Sequence, residues 1–473
     1  MLKKVMLCLL SLVIVLGSAV ACNMTDPNDD GSSLVPEEPD SWDTELQVSY
    51  FLGGYGSNWF VWLKNEFQRQ NPGVRVVLDG DPKMDTMIVT NVENGLLIPD
   101  VCFLGSDYLW KRWGPQGYLL ELSELYEETV PGTDKTLEEL MLPHGKALAD
   151  YPRPDGSTKR YIVPWGDATE GIVYNKAILD EYYGSSDWTF PATWAEFLAL
   201  CDGLKAKGIA PLTYPGTTAG YLSSVIMPII AQYFGDEDYQ TFMNPDETFD
   251  TALYDNAAIE KGFQYTQELI SRGYLLTGSQ SLTHTLAQQK FVQGECAMII
   301  NGSWLQNEVE NILPEGFEMR MAPIPAMPDA ENSTRTANIG NVAFSGILAD
   351  SQNIELAKKF LLFSCSPDSQ KAFYQYCGAW RPFDIDLSDV EVSGFTESCR
   401  EVWEDDTVYK SRMYSSSPFF VSLSAGGSNY ADLATMNANG TMRYNYAMIF
   451  NRFSTAAKSE YNKLLNDFNS QNQ

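Results

Sequence analysis

The residues LQVSYFLGGYGSNWFVWLKNEFQRQNPGVRVVL, at positions 46–78, decide the fold class. Residues 46–52 have the apolar and aromatic composition of a buried strand, and the glycines within 53–56 end it. From residue 58 to residue 70 the large apolar side chains recur at helical spacing. Residues 74–78 then predict a second strand, so this stretch reads as a strand, a helix and a strand.

The same alternation continues beyond this stretch. A helix predicted at about residues 84–94 leads to a third buried strand at 99–104. Strands separated by helices imply an α/β fold with a parallel sheet, in which binding groups lie on the loops after the strands. We therefore expect the loops at 53–59 and 105–110 to face one crevice.

The length of the chain indicates the number of domains, and its net charge excludes some classes of ligand. Beyond residue 45 about 430 residues remain, more than one ordinary core holds, so two domains are expected. The formal net charge of −30 excludes nucleic acid, because a phosphate backbone requires a basic surface. The chain has two histidines and no Cys or His pair at metal-ligand spacing. Structural zinc and a Ser-His-Asp triad are therefore not expected, and no metal or cofactor is predicted.

The N-terminus has the pattern of an export signal. Two lysines, a short apolar run and small residues predict a signal peptide at residues 1–21. Ala-Val-Ala followed by Cys22 resembles the lipobox of bacterial lipoproteins, although Ala19 stands where that motif usually has Leu. Residues 22–45 are acidic and lack Lys and Arg, which predicts a disordered tether behind an acylated Cys22. An ordinary signal peptide next to a bystander cysteine remains the alternative.

The other cysteines leave two alternatives open. They are scattered along the chain without a CxxC pair. In an exported protein some of them could form disulfides, with Cys365 near enough in sequence to Cys377 or Cys399. Free buried thiols that pack as small apolar groups are the other alternative.

Six segments then follow in an order that resembles the extracellular solute-binding proteins of ABC importers, the maltose-binding-like group. They are PDV (99–101) with GYLLEL (117–122), YIVP (161–164) with YNK (174–176), PATWAEF (191–197), FVQGECAM (291–298) with NGSW (301–304), APIP (322–325) and NIELAKKF (353–360). In the third segment, Thr193 and Glu196 have the spacing of a helix capping box.

The resemblance implies the two-lobed type II periplasmic-binding-protein fold, with three hinge crossings near residues 165–170, 320–326 and 364–368. Lobe 1 is expected at 46–165 plus 322–365, and lobe 2 at 166–321 plus 366–473. A ligand would lie in the cleft between the lobes. The implied function is extracytoplasmic binding of a carbohydrate by a monomer, which delivers it to membrane permease subunits.

Sugars have apolar CH faces ringed by hydroxyl groups, so a sugar site combines aromatic rings with carboxylates, amides or Arg. The resemblance matches Asp107 to a carboxylate that accepts sugar hydroxyls, and Trp304 and Tyr221 to stacking aromatics. The full set of predicted ligand contacts is Trp59, Asp107, Trp165, Asp167, Tyr221, Trp304, Trp380 and Arg381. For each tryptophan, packing in a core is the alternative.

The competing class is an enzyme. A membrane-anchored glycoside hydrolase would also be acidic, aromatic-rich and exported, and its paired carboxylates would be hidden among the 62 acidic residues. The ordered set of binding-protein segments favours a binding protein without catalytic residues.

Overall fold

In the computed structural model, the described residues are 41–470 except 97–98, 106, 154, 341–342, 413–414 and 416. The side chains of Asp107 and Tyr108 are also outside the described part. The predicted signal peptide, Cys22 and most of the tether lie outside the described residues. The chain divides into two units, Met1–Trp42 and Asp43–Gln473, and the helices and strands given below belong to the second unit.

The strands alternate with helices along most of the chain. The strands are β1 (Thr44–Phe51), β2 (Val74–Asp81), β3 (Val101–Leu104), β4 (Asp150–Pro152), β5 (Thr158–Arg160), β6 (Val163–Pro164), β7 (Thr169–Asn175), β8 (Ala210–Thr213), β9 (Cys296–Gly302), β10 (Met319–Ala322), β11 (Thr336–Ile339), β12 (Phe344–Ile347) and β13 (Tyr409–Arg412).

The helices are α1 (Asn58–Gln70), α2 (Met84–Glu93), α3 (Asp107–Gln116), α4 (Leu137–Leu140), α5 (Pro143–Ala149), α6 (Lys176–Tyr183), α7 (Trp194–Ala206), α8 (Ser223–Phe234), α9 (Asp236–Met243), α10 (Ala257–Ser271), α11 (His284–Val292), α12 (Leu305–Val309), α13 (Ile354–Phe363), α14 (Pro367–Cys377), α15 (Gly394–Glu404), α16 (Asn429–Leu433) and α17 (Tyr446–Ser470). Short 3₁₀ helices lie at Ser123–Glu127, Gly216–Leu222, Thr251–Asp255, Ser279–Ser281 and Glu310–Ile312.

The first sheet has the strand order β2-β1-β3-β12-β6. β1 pairs in parallel with β2 and with β3, while β12 is antiparallel to β3 and β6. The predicted parallel arrangement at the start of the chain is therefore confirmed. The loops after β1, β2 and β3 meet at one edge of the sheet, because they leave the carboxyl ends of parallel strands.

The second sheet has the order β13-β11-β7-β9-β8, and β10 also pairs with β7. β7 is antiparallel to β9, with Glu170 opposite Gly302. The first residues of β7 and the last residues of β9 consequently lie side by side at one edge. This register brings Glu170 near the segment that contains Trp304.

Separate apolar cores pack on the two sheets, which is the two-lobed α/β architecture that was predicted.

Two of the three predicted crossings between the lobes differ from the crossings that the strand pairing shows. β11 belongs to the second sheet through β7 and β13, so the chain changes sheets between β11 and β12 and not near 320–326. Phe373 and Phe383 pack in the core of the first sheet, so no crossing at 364–368 moves the chain away from that core.

The structure also tests the predicted helix cap and the predicted state of the cysteines. The predicted capping box is confirmed: the Thr193 side chain accepts from the backbone N–H of Glu196, and the Glu196 carboxylate accepts from that of Thr193. Cys102, Cys201, Cys296, Cys365, Cys377 and Cys399 are free and buried, which decides between the two alternatives for the described cysteines. Across the described residues, no helix is both long enough and apolar enough to cross a bilayer.

Candidate functional site

A cavity of about 570 Å³ lies between the loop edge of the first sheet and the elements of the second sheet. The first sheet contributes the loop after β1, Pro82 after β2 and Gly105 after β3. The second sheet and its helices contribute Glu170, Tyr221 and Trp304. The loops at 53–59 and 105–110 were predicted to face one crevice, and both contribute to this cavity.

Trp304 supplies an apolar surface in this cavity. It lies two residues after the end of β9, and its half-buried indole lies between two glycines. A Cβ atom on Gly54 would lie 2.6 Å from the Trp304 Cβ, and one on Gly302 would lie 2.5 Å from the indole ring. Only glycine permits such close approach of the backbone. Tyr221 meets the indole edge-on, with ring centroids 6.3 Å apart.

Polar groups converge beside these rings. The Tyr221 hydroxyl lies 2.7 Å from Nε2 of His284, and the Gln288 amide nitrogen lies 3.0 Å from the same atom. Gln288 also donates to Glu308, whose Oε2 is 3.2 Å from His284 Nε2. Burial and the nearby Glu308 charge raise the pKa of the Tyr221 hydroxyl, so it stays protonated. The cluster therefore offers hydroxyl, amide, imidazole and carboxylate groups to a polar ligand.

Glu170 is the most deeply buried acid of the cavity, with 3% of the residue exposed. Its Oε2 accepts a hydrogen bond of 2.8 Å from the Ser224 hydroxyl at the start of α8. Among the described residues it forms no ion pair. Burial raises the pKa of this carboxyl to about 7, and the Ser224 hydrogen bond opposes the rise. With one hydrogen-bond donor and no ion pair among the described residues, the ionised form of this carboxyl is poorly stabilised.

The two tryptophans nearest the first sheet occupy different places. Trp165 lines the cavity, but its indole N–H donates to the Leu104 carbonyl at 3.0 Å, so it forms an apolar floor. Trp59 is fully buried, stacks on Trp165 with centroids 6.0 Å apart and donates to the Ser369 carbonyl at 3.1 Å. The prediction of Trp59 as a ligand contact is therefore corrected, because its faces and its donor are used within the core.

Asp167 and Trp380 do not line the large cavity. The Asp167 carboxylate lies 2.6 Å from Nε2 of His144, and the backbone N–H of Asp167 donates to the Trp380 carbonyl at 2.8 Å. Asp167 lines a separate crevice of about 30 Å³ with His144 and Arg412. Trp380 packs edge-on against Trp403, with centroids 5.0 Å apart. Asp167 is engaged with His144 and Trp380 packs against Trp403, so the prediction that these two residues contact the ligand is corrected.

Arg381 is buried as well, with 3% of the residue exposed. Its guanidinium donates to the carbonyls of Ser364 and Pro164 and lies 5.3 Å from the Trp59 ring centroid. Arg381 therefore ties together the segments that end β6 and α13. Because its guanidinium is occupied by these internal contacts, the prediction that Arg381 binds ligand is corrected.

Asp107 begins α3, after the third strand as predicted. Its side chain lies outside the described part of the structure, so its role as an acceptor of sugar hydroxyls stays a prediction. Of the predicted contacts, the structure therefore brings Trp165, Tyr221 and Trp304 together around one cavity.

The polar residues Glu170, His284, Gln288 and Glu308 line the cavity but were absent from the predicted set. Two signals could have pointed to them. His284 and Gln288 stand four apart on one helical face, as do Trp304 and Glu308 around the start of α12. Among the described residues, no group of three or more His, Cys, Asp or Glu side chains is arranged to hold a metal ion.

Two curated proteins are similar to this chain in sequence. The Multiple sugar-binding protein of Streptococcus mutans is 23% identical over 345 residues, which are 70% of this chain and 71% of that protein. The Diacetylchitobiose binding protein NgcE of Streptomyces coelicolor is 22% identical over 330 residues, 66% of this chain and 65% of that protein.

Solved structures agree on the fold. A probable secreted solute-binding lipoprotein from Streptomyces coelicolor has a TM-score of 0.65 at 20% identity, covering 89% of this chain and 100% of that one. RafE in complex with raffinose has a TM-score of 0.57 at 17% identity, with coverage of 91% and 100%. The model of the bacterial extracellular solute-binding protein family matches residues 56–371, more than half of the chain. The chain belongs to the family of bacterial extracellular solute-binding proteins.

Proposed function

We propose that the protein binds a carbohydrate in the cavity between its two sheets and delivers it to the permease of an ABC importer. The observation that carries this proposal is the half-buried Trp304 indole with polar groups beside it. An indole face complements the CH face of a sugar ring, while Glu170, Gln288 and Glu308 suit its hydroxyl groups. The relatives named for multiple sugars and diacetylchitobiose, and the raffinose complex of RafE, support this ligand class.

The proposed ligand contacts are Trp304, Tyr221, Asp107 and the floor formed by Trp165. The two lobes would close on the ligand by hinge motion, as two-lobed binding proteins do. We place the protein outside the cytoplasmic membrane, in keeping with its family. We further propose that it is a monomer held to the membrane by acyl chains on Cys22.

Titration against a panel of mono- and oligosaccharides tests the proposal. We expect at least one sugar to be retained stoichiometrically and to raise the melting temperature, because a ligand that binds the native state stabilises it. New reducing ends during incubation with an oligosaccharide would instead indicate hydrolysis. Absence of binding across the panel would contradict the proposed function.

A further inference from the structure

Acidic side chains outnumber basic ones in the cavity. Among the described residues that line it, the carboxylates are Glu170 and Glu308, the single basic side chain is His284, and there is no Lys or Arg. The protein as a whole is acidic, but distant surface charges are screened by salt. Charges on the wall of a partly buried cavity are screened less and act directly on a ligand.

The two carboxylates differ in how far the protein already satisfies them. Glu308 accepts a hydrogen bond from Gln288 and lies 3.2 Å from the His284 ring nitrogen. Glu170 receives one hydrogen bond, from Ser224, and its second oxygen accepts none from the described residues. Glu170 is therefore a buried acid at the cavity wall that has no counter-charge within the described part of the chain.

The chemistry of an unpaired buried carboxylate defines the group that complements it. Burying such a charge is unfavourable unless an opposite charge and further hydrogen bonds accompany it. A sugar hydroxyl brings one donor and no charge, whereas an ammonium group brings a full positive charge and three donors. A carboxylate or phosphate on the ligand would meet two like charges.

We propose, building on the proposed function, that the cavity selects sugars by charge: it prefers a ring that carries an ammonium group in place of a hydroxyl, and it rejects acidic sugars. Glu170 is the specificity-determining residue. Its position opposite Gly302, two residues before Trp304, places the charge beside the apolar surface. The ammonium group therefore belongs to the ring that stacks on Trp304 or to its immediate neighbour.

Three sets of sugars test this inference at about pH 7. Each set holds the neutral parent, the 2-amino form and the uronic acid, in the glucose, galactose and mannose configurations. In at least one set we expect the amino form to bind about tenfold tighter than its parent, because charge-assisted hydrogen bonds are about twice as strong as neutral ones. The uronic acid should bind more weakly than the parent.

Two variants locate the effect. Glu170→Gln keeps the size of the side chain and removes its charge, so the affinities for the amino and neutral forms should become equal within about twofold. Glu355→Gln is the matched control, because Glu355 lies on the surface of α13 with 86% of its side chain exposed. The control should retain the full preference.

The outcomes separate this inference from the proposed function. If neutral parents bind as tightly as their amino forms, or if a uronic acid binds best, the charge selection is wrong and sugar binding stands. If the preference persists in Glu170→Gln, Glu170 is not its source. If no sugar binds in any set or in the wider panel, both proposals fail. The wild-type affinities decide the matter even where Glu170→Gln does not fold.

Discussion

Removal of the Glu170 charge should stabilise the ligand-free protein in a way that depends on pH. Burial raises the pKa of this carboxyl from 4.5 to about 7, so the native state keeps a proton that the unfolded chain releases. Between about pH 4.5 and 7 the native state therefore binds more protons than the unfolded state, and stability falls as the pH rises. At about 1.4 kcal/mol for each pKa unit, this loss reaches about 3 kcal/mol above pH 7.

The Glu170→Gln variant should not lose this stability as the pH rises, because the amide stays neutral and can still accept a hydrogen bond from Ser224. Well below pH 4.5, where Glu170 holds its proton in both states, we expect the two proteins to melt together. At about pH 8 the variant should melt higher by about 6–12 °C, since 1 kcal/mol moves the midpoint by about 2–4 °C in a domain of this size. Thermal melts of both proteins across this pH range provide the measurement.

The comparison between the two proteins removes the contribution of groups that titrate alike in both. Glu355→Gln serves again as the control, and its melting difference from wild type should stay flat with pH. A Glu170→Gln variant that melts below wild type at about pH 8 would refute the reasoning. So would a difference that does not change with pH, since either result means that the Glu170 charge is already compensated in the ligand-free protein.

Four further predictions concern binding, stability, closure and location. Trp304→Ala should weaken sugar binding about tenfold, because stacking contributes about 1 kcal/mol beyond area burial; titration calorimetry measures this, and normal affinity would place Trp304 outside the site. Trp59→Ala should instead cost about 3–5 kcal/mol of stability as a core truncation, read from apo melting curves, and an unchanged midpoint would contradict its core assignment. Saturating sugar should reduce the radius of gyration in small-angle scattering, whereas an unchanged radius would mean a rigid site. Cys22→Ser should leave the membrane fraction, and retention there would place the anchor elsewhere.

Features set by local sequence were predictable. Strand β1, helix α1 and strand β2 follow from the periodicity of residues 46–78, and the capping box at Thr193 follows from the spacing of two residues. These signals depend on side chains that are close in the chain, and no distant partner changes them. Trp304 was predicted through the resemblance of its NGSW segment. It lines the cavity, and its stacking on a sugar stays a proposal.

Features set by distant pairing could not be predicted this way. Asp167 and Glu170 are three residues apart in one crossing segment, and the predicted set contained Asp167 but not Glu170. The backbone pairing of Asp167 with Trp380 and the contact with His144 turn one acid toward a separate crevice. The pairing of Glu170 with Gly302 turns the other toward the cavity. Trp59 was misassigned for the same reason, since Ser369, its hydrogen-bond partner, lies 310 residues away.

Glu170 lies near the start of β7, so the proposed closure of the lobes would link ligand charge to hinge motion. This strand begins where the chain leaves the first sheet, so closure of the lobes would remove further water from the carboxylate. Less water makes an unpaired charge more costly, and a neutral ligand would then favour proton uptake by Glu170 near pH 7. An ammonium group would supply the counter-charge itself, so closure would keep the carboxylate ionised. The same residue can therefore discriminate between ligands through contact and through the free energy of closure.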